Sequence, residues 1–180
     1  MITLNFDGAC GPYNPGGHMG CGVIIKDKDN KVLHTIQQQY SPEQFNNETS
    51  NNLAEYIALI LGLQWCIDNN YTQVNVIGDS QLVINQMTNK FKIKSGVYVE
   101  KAYQAKEMIT KFSNINFTHV KREFNTEADE LSTIIVDGYN SQTDPIRFRK
   151  KEKKVTNNIQ QPQKVRIKIQ PLNHKDSLDQ

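Results

Sequence analysis

The order in which two hydrophobic periods follow one another constrains this chain more than any other feature. Ile2, Leu4 and Phe6 alternate with Thr3, Asn5 and Asp7, the two-residue period of a strand with one buried face. "GCGVIIKDKDNKVLHTIQQQY" then sets an apolar run, a polar Asp-Asn turn, and Val32, Leu33 and Ile36, which reads as a hairpin. After that the period lengthens. "SNNLAEYIALILGLQWCIDNN" spaces Leu53, Ile57, Ile60, Leu61 and Leu63 as a helix does, with Thr49 or Ser50 to cap its start. "TQVNVIGDS" reads as a buried strand, "SQLVINQMTNKF" and "YVEKAYQAKEMITKF" as two helices, "INFTHV" as a fifth strand and "NTEADELSTIIVDG" as a closing helix. Three hairpin-connected strands followed by alternating helix and strand predict an α/β protein, a mixed sheet with helices packed on it.

Beyond about Gln142 neither period persists. Residues 1–144 carry 11 Lys and Arg against 16 Asp and Glu, whereas residues 145–180 carry 10 against 3. A net charge of +2 therefore hides two unlike parts. The expectation is one folded domain over residues 1–142 and a basic, disordered tail over 143–180, rich in Lys, Gln and Asn and poor in aromatics. An apolar fraction of 37% agrees with part of the chain lying outside any core. No apolar run is long enough to span a membrane, and "MITLNFDG" has neither the basic segment nor the apolar region of a signal peptide. Cys10, Cys21 and Cys66 form no Cys-x-x-Cys pair and fit a reducing cytosol as small buried hydrophobes.

Four acids occupy similar settings. Asp7 is expected to end the first strand and Asp79 the fourth, while Glu55 and Asp129 stand near the starts of the first and last helices. Strand ends and helix starts are where α/β sheets collect functional groups. Each acid also has a plain reading. Asp7 and Asp79 suit turns, Glu55 a solvated helix face, and Asp129 a capping box with Thr126.

Taken together and in order, "FDGACGPYNPGG", "TSNNLAEYIAL", "IGDSQLVINQM" and "HVKREFNTEADELS" resemble type 1 ribonuclease H over residues 1–140. The resemblance implies a five-stranded mixed sheet in the order 3-2-1-4-5. It also implies that Asp7, Glu55, Asp79 and Asp129 match the family's catalytic, metal-binding carboxylates, with Gly8 beside them. Packed carboxylates repel at neutral pH unless a cation relieves them, and acidic sites without His or Cys suit Mg²⁺, with Mn²⁺ as substitute. Two ions about 4 Å apart hold attacking water and leaving oxygen in an in-line phosphodiester displacement.

The same resemblance points to a substrate groove. Asn51, Asn52 and Gln81 carry amides able to meet 2′-hydroxyls and base edges, Asn14 lies beside the substrate, and Ser50 is expected at a phosphate of the DNA strand. Helix capping by Ser50 and Asn51 is the alternative. Gly8 and Gly11 let backbone approach the substrate. "GACGPYN" has one residue more before Asn14 than the family pattern. Two further departures stand out. The segment "NKFKIKSGVYVE", with Lys90, Lys92 and Lys94, is too short for the basic protrusion of many bacterial members. The loop "KREFNTEAD" has no histidine, which leaves Arg122 or Glu123 as auxiliary groups, while His119 falls inside a strand and reads as structural. The implied activity is hydrolysis of the RNA strand of RNA–DNA hybrids, leaving 3′-hydroxyl and 5′-phosphate ends, by a cytosolic monomer whose basic tail adds non-specific affinity. The rival readings are a non-catalytic hybrid-binding module and a nuclease of the same fold acting on double-stranded RNA.

Overall fold

A computed structural model describes residues 1–134. The expected basic tail, 143–180, and the domain boundary at 142 lie outside the described residues.

Strands β1 (Ile2–Gly11), β2 (His18–Lys26) and β3 (Val32–Tyr40) form an antiparallel meander, and β4 (Gln73–Gly78) and β5 (Asn114–His119) extend it on the other side of β1. The sheet order is β3-β2-β1-β4-β5, with β1, β4 and β5 parallel. This is the expected order, and each parallel pair is joined through at least one helix, as the long connection between parallel strands requires. At the β2–β3 hairpin, Asp27 Oδ1 accepts from the amides of Asp29 and Lys31 at 2.8 and 2.9 Å, and Asn30 takes a positive φ of 61°.

Helix α1 (Asn51–Asp68) lies on the sheet face built by Leu4, Phe6, Val23, Ile25, Val74 and Val76. On its outer side it packs against α3 (Val99–Ile109), which buries Ala102, Ala105 and Met108. The small alanines let the two helices approach closely. In chain order α2 (Gln81–Met87) comes between them and touches both. Gln86, only 2% exposed, accepts from Tyr56 Oη at 2.5 Å and donates to the Lys92 carbonyl at 3.0 Å. Tyr56 stacks on Tyr98 with centroids 5.6 Å apart. This polar knot fixes the loop that carries Lys90, Lys92 and Lys94.

The opposite face of β1 and β2 is covered by α4 (Thr126–Leu131). It comes close because β2 presents Gly20 and Gly22 there. A Cβ on Gly22 would sit 2.2 Å from the Ala128 carbonyl oxygen, and one on Gly20 2.1 Å from that of Ser132. Lys26 of β2 pairs with Glu127 at the start of α4. The closing helix is shorter than its periodicity implied. It ends at Leu131, and the rest of the expected span beyond Ile134 lies outside the described residues.

Cys21 and Cys66 are buried as expected. Cys10 is only half-buried, because it stands near the end of β1, where its Sγ lies 3.2 Å from the Tyr13 carbonyl. Among the described residues, no helix is long and apolar enough to cross a membrane.

Candidate active site

Asp7 does not end its strand. β1 continues to Gly11 alongside β2, but its pairing with β4 stops at Asn5↔Ile77. What ends just before Asp7, at Asn5, is the parallel half of the sheet. Past that point the β4-facing edge of β1 still carries backbone groups that need partners. Side chains supply them. Asn125 Nδ2 donates to the Phe6 carbonyl at 2.8 Å, the Gly8 amide donates to the Glu55 carboxylate, and the Cys10 amide donates to Asn51 Oδ1 at 2.6 Å. A seam opens between β1 and the end of β4, closed by residues from α1 and from the turn before α4.

The acids meet in that seam. Asp7 faces the α4 side of the sheet, Glu55 reaches in from the first turns of α1, and Asp79 directly follows β4. One carboxylate oxygen from each lies within 4.8 Å of the others. Glu55 gets there because α1 rests directly on β1: a Cβ on Gly8 would lie 2.1 Å from the Glu55 amide nitrogen. Asp129 is not one of the three. Its carboxylate pairs with Arg122, and its helix is tied to the group through Ser132. The Ser132 hydroxyl donates to Asp7 Oδ2 and lies 2.9 Å from the Asp129 carbonyl. The capping-box reading of Asp129 fails on geometry. α4 begins at Thr126 itself, with Asn125 in the cap position making no side-chain cap bond.

Burial, with clustering behind it, raises the affinity of Asp7 and Glu55 for protons. Burial, opposed by the Ser132 hydrogen bond and reinforced by the charges of Asp79 and Asp129, pushes Asp7 from 3.8 up to about 7. Burial, then the charges of Asp7 and Asp79, holds Glu55 well above the usual carboxylate range. Glu55 Oε2 is buried without a hydrogen-bond partner. An orphaned buried carboxylate oxygen facing two more acids is an unfavourable arrangement unless a cation joins it. All the donors are oxygen, and no His or Cys takes part. The residues fit a hard divalent cation.

The expected substrate residues divide. Asn52 and Gln81 are exposed, at the starts of α1 and α2. Ser50 is the N-cap of α1, accepting from the Leu53 amide at 3.2 Å, while Thr49 is fully buried and donates to the Gly17 carbonyl at 2.7 Å. Asn14 Oδ1 accepts from the Asn51 amide at 3.0 Å. With the Cys10–Asn51 bond, this locks the β1–β2 loop onto the α1 N-terminus. Ser50, Asn14 and Asn51 thus each have an internal structural bond at the rim of the seam. Arg122, Glu123 and Phe124 are exposed in the turn before α4. His119 stands exposed at the end of β5, with Nε2 3.2 Å from the Asp79 carbonyl. A carbonyl only accepts, so that nitrogen carries the proton.

Two residues of the seam escaped the sequence reading. Asn125 looks like an ordinary cap before "TEAD", and Ser132 like one more polar position on a helix. Only the meeting of β1 with α4 gives either side chain its partners.

A family profile described as "Reverse transcriptase-like" matches residues 5–134. The bifunctional protein Rv2228c of Mycobacterium tuberculosis is 32% identical over 136 residues, 76% of this chain and 35% of that protein. The chain thus spans about a third of the length of the mycobacterial relatives it matches. The RNase H1 structure from the halophilic archaeon Halobacterium salinarum superposes with a TM-score of 0.65 at 29% identity, covering 73% of this chain and 93% of that one. LC11-RNase H1, solved in complex with an RNA/DNA hybrid, superposes at 0.63 with 32% identity, covering 73% and 93%.

Proposed function

Since the chain belongs to the reverse transcriptase-like family and folds as a ribonuclease H domain, we propose that it is a divalent-metal-dependent endonuclease that cleaves the RNA strand of RNA–DNA hybrids. The observation that carries the reading is the seam itself, three acid oxygens within 4.8 Å and the unpartnered Glu55 Oε2 among them. A pure binding module for a polyanion gains nothing from buried negative charge.

Asp7, Glu55 and Asp79 would hold the cations, Mg²⁺ with Mn²⁺ as substitute. Asp129, paired with Arg122 in the structure, would complete the set, and Gly8 lies at the same spot on β1. Two such ions supply Lewis-acid activation of the attacking water and charge neutralisation at the leaving oxygen. Everything else falls to the chain. Burial of Asp7 and Glu55 excludes bulk water from their side of the seam, and Ser132 holds Asp7 in one orientation. Arg122, exposed beside Asp129, would meet a phosphate; Glu123 is the other auxiliary group of that turn. Asn14, Ser50, Asn51, Asn52 and Gln81 line the rim on the α1 and α2 side, where amides can meet 2′-hydroxyls. The LC11-RNase H1 complex with a hybrid supports this choice of substrate. The basic segment after residue 145 adds sequence-independent affinity. In this reading the protein works in the cytosol as a monomer.

A labelled RNA–DNA hybrid, duplex RNA and duplex DNA, each offered with Mg²⁺ and with EDTA, test the reading. The hybrid alone is cut, on its RNA strand and only with metal. Asp7→Asn lowers the rate by roughly 10³-fold or more while binding the hybrid. Cleavage at the normal rate by Asp7→Asn, or unchanged cleavage in EDTA, would refute it.

A further inference from the structure

One buried polar side chain outside the acids touches every segment that carries the three sheet-and-turn positions of the site. Asn125 is 2% exposed. Its Nδ2 donates to the Phe6 carbonyl at 2.8 Å and to Asp79 Oδ1 at 2.9 Å, and its Oδ1 accepts from Asn5 Nδ2 at 3.2 Å. The orientation is forced, because a carbonyl and a carboxylate only accept and the NH₂ must therefore face them. Its backbone carbonyl accepts from the Asp129 amide at 3.0 Å. This single residue is therefore bonded to β1 one position before Asp7, to a carboxylate oxygen of Asp79, and to the turn that sets Asp129.

We propose that Asn125 is a positioning residue for the metal site: it commits one oxygen of Asp79 and so fixes where the other points, and it holds β1 and α4 at the spacing the acids need. This rests on the metal-dependent reading above. The amide is suited to the task for a physical reason. A carboxylate beside Asp7 and Glu55 is pushed away by their charges, and a neutral donor held from behind by Asn5 opposes that push without adding charge of its own. Neither Thr nor Ser reaches both the Phe6 carbonyl and Asp79 from this position while still accepting from Asn5, since a hydroxyl brings one proton where the amide brings two. A purely structural role, closing the open edge of β1, remains a rival, and it makes a different forecast. It moves stability and leaves metal affinity alone.

Calorimetric titration of the full chain with Mn²⁺, without nucleic acid, separates the two. Partners behind metal ligands are worth roughly 10- to 100-fold in metal affinity, and a loss of that size is expected for Asn125→Ala with an unchanged far-ultraviolet dichroism spectrum. Hybrid binding measured in EDTA stays within about twofold of wild type, since no metal takes part. Asn5→Ala keeps the amide but removes the donor that orients it, and it lowers Mn²⁺ affinity in the same direction by less. Folded Asn125→Ala that binds Mn²⁺ as wild type does overturns the proposal. If Asn125→Ala does not fold, Asn5→Ala decides, and unchanged affinity there overturns it equally. Should wild type itself bind no Mn²⁺, this proposal and the metal-dependent reading fall together. Wild-type binding with an unaffected variant removes the role of Asn125 alone.

Discussion

Replacing Asp7 by Asn should make the metal-free protein more stable while abolishing its chemistry. In the fold, Asp7 is pushed from 3.8 to about 7, so the folded state holds the proton more tightly than the unfolded chain. The sign follows directly. Protonated Asp7 favours the fold fully below about pH 3.8, and that contribution drains away as the pH climbs to about 7. At about 1.36 kcal/mol per pH unit, keeping Asp7 ionised in the metal-free fold at pH 7 costs up to about 4 kcal/mol. Asparagine is neutral, close in shape, and keeps an oxygen to accept from Ser132. The variant should therefore melt roughly 10 °C above wild type in EDTA at pH 7. Near pH 4 the difference shrinks to below about 1 kcal/mol, because wild-type Asp7 is by then protonated in the fold and half-protonated in the unfolded chain. Saturating Mg²⁺ raises the wild-type melting temperature and leaves the variant almost unmoved, since a ligand stabilises only the state that binds it. Thermal unfolding by circular dichroism at the two pH values, with EDTA and with Mg²⁺, gives all four numbers. Equal melting of the two proteins in EDTA at pH 7 would refute the reasoning, for the carboxylate would then carry no burial penalty for a cation to relieve.

Two further outcomes follow from packing. In Gly22→Ala the new methyl meets the backbone of α4, with the Ala128 carbonyl oxygen 2.2 Å away and the Ser132 amide 2.5 Å away. A cost of about 1–3 kcal/mol or more is expected, and cleavage by the protein that remains folded falls as well, because Ser132 and Asp129 move with the helix; melting and single-turnover rates measured together check this. Tyr56→Phe leaves buried Gln86 without the hydroxyl that donates to its Oε1. The expected loss is about 1–3 kcal/mol in urea unfolding with an unchanged cleavage rate at 25 °C, since this bond lies away from the seam.

How far the sequence led depends on the range of the interaction in question. The sheet order and the run of elements were legible because each rests on local periodicity, and the antiparallel-then-parallel pattern follows from short and long connections. The length of β1 was not. "GACG" after Asp7 has the composition of a turn, and it is a strand because it goes on pairing with β2 while Gly8 leaves room for α1 to rest on it. α4 was overdrawn for the converse reason. Its apolar spacing continues, but Ser132 at its end turns to Asp7. Among the acids, Asp7, Glu55 and Asp79 stand together as the order of their motifs implied, whereas the pairing of Asp129 with Arg122 depends on a turn whose shape no pattern announces. The amides of the groove show the same limit. Asn14 and Asn51 have the right chemistry to read a sugar edge, yet each first satisfies a backbone amide nearby.

Because Glu55 takes the Gly8 amide as its own hydrogen-bond partner, it is part of the scaffold as well as of the chemistry. Anyone wanting an inert version of this protein, for trapping or for crystals, would do badly to truncate that side chain, since dead and misfolded molecules would look alike in the tube. Asp7→Asn, which keeps an oxygen to accept from Ser132, is the cleaner way to silence it.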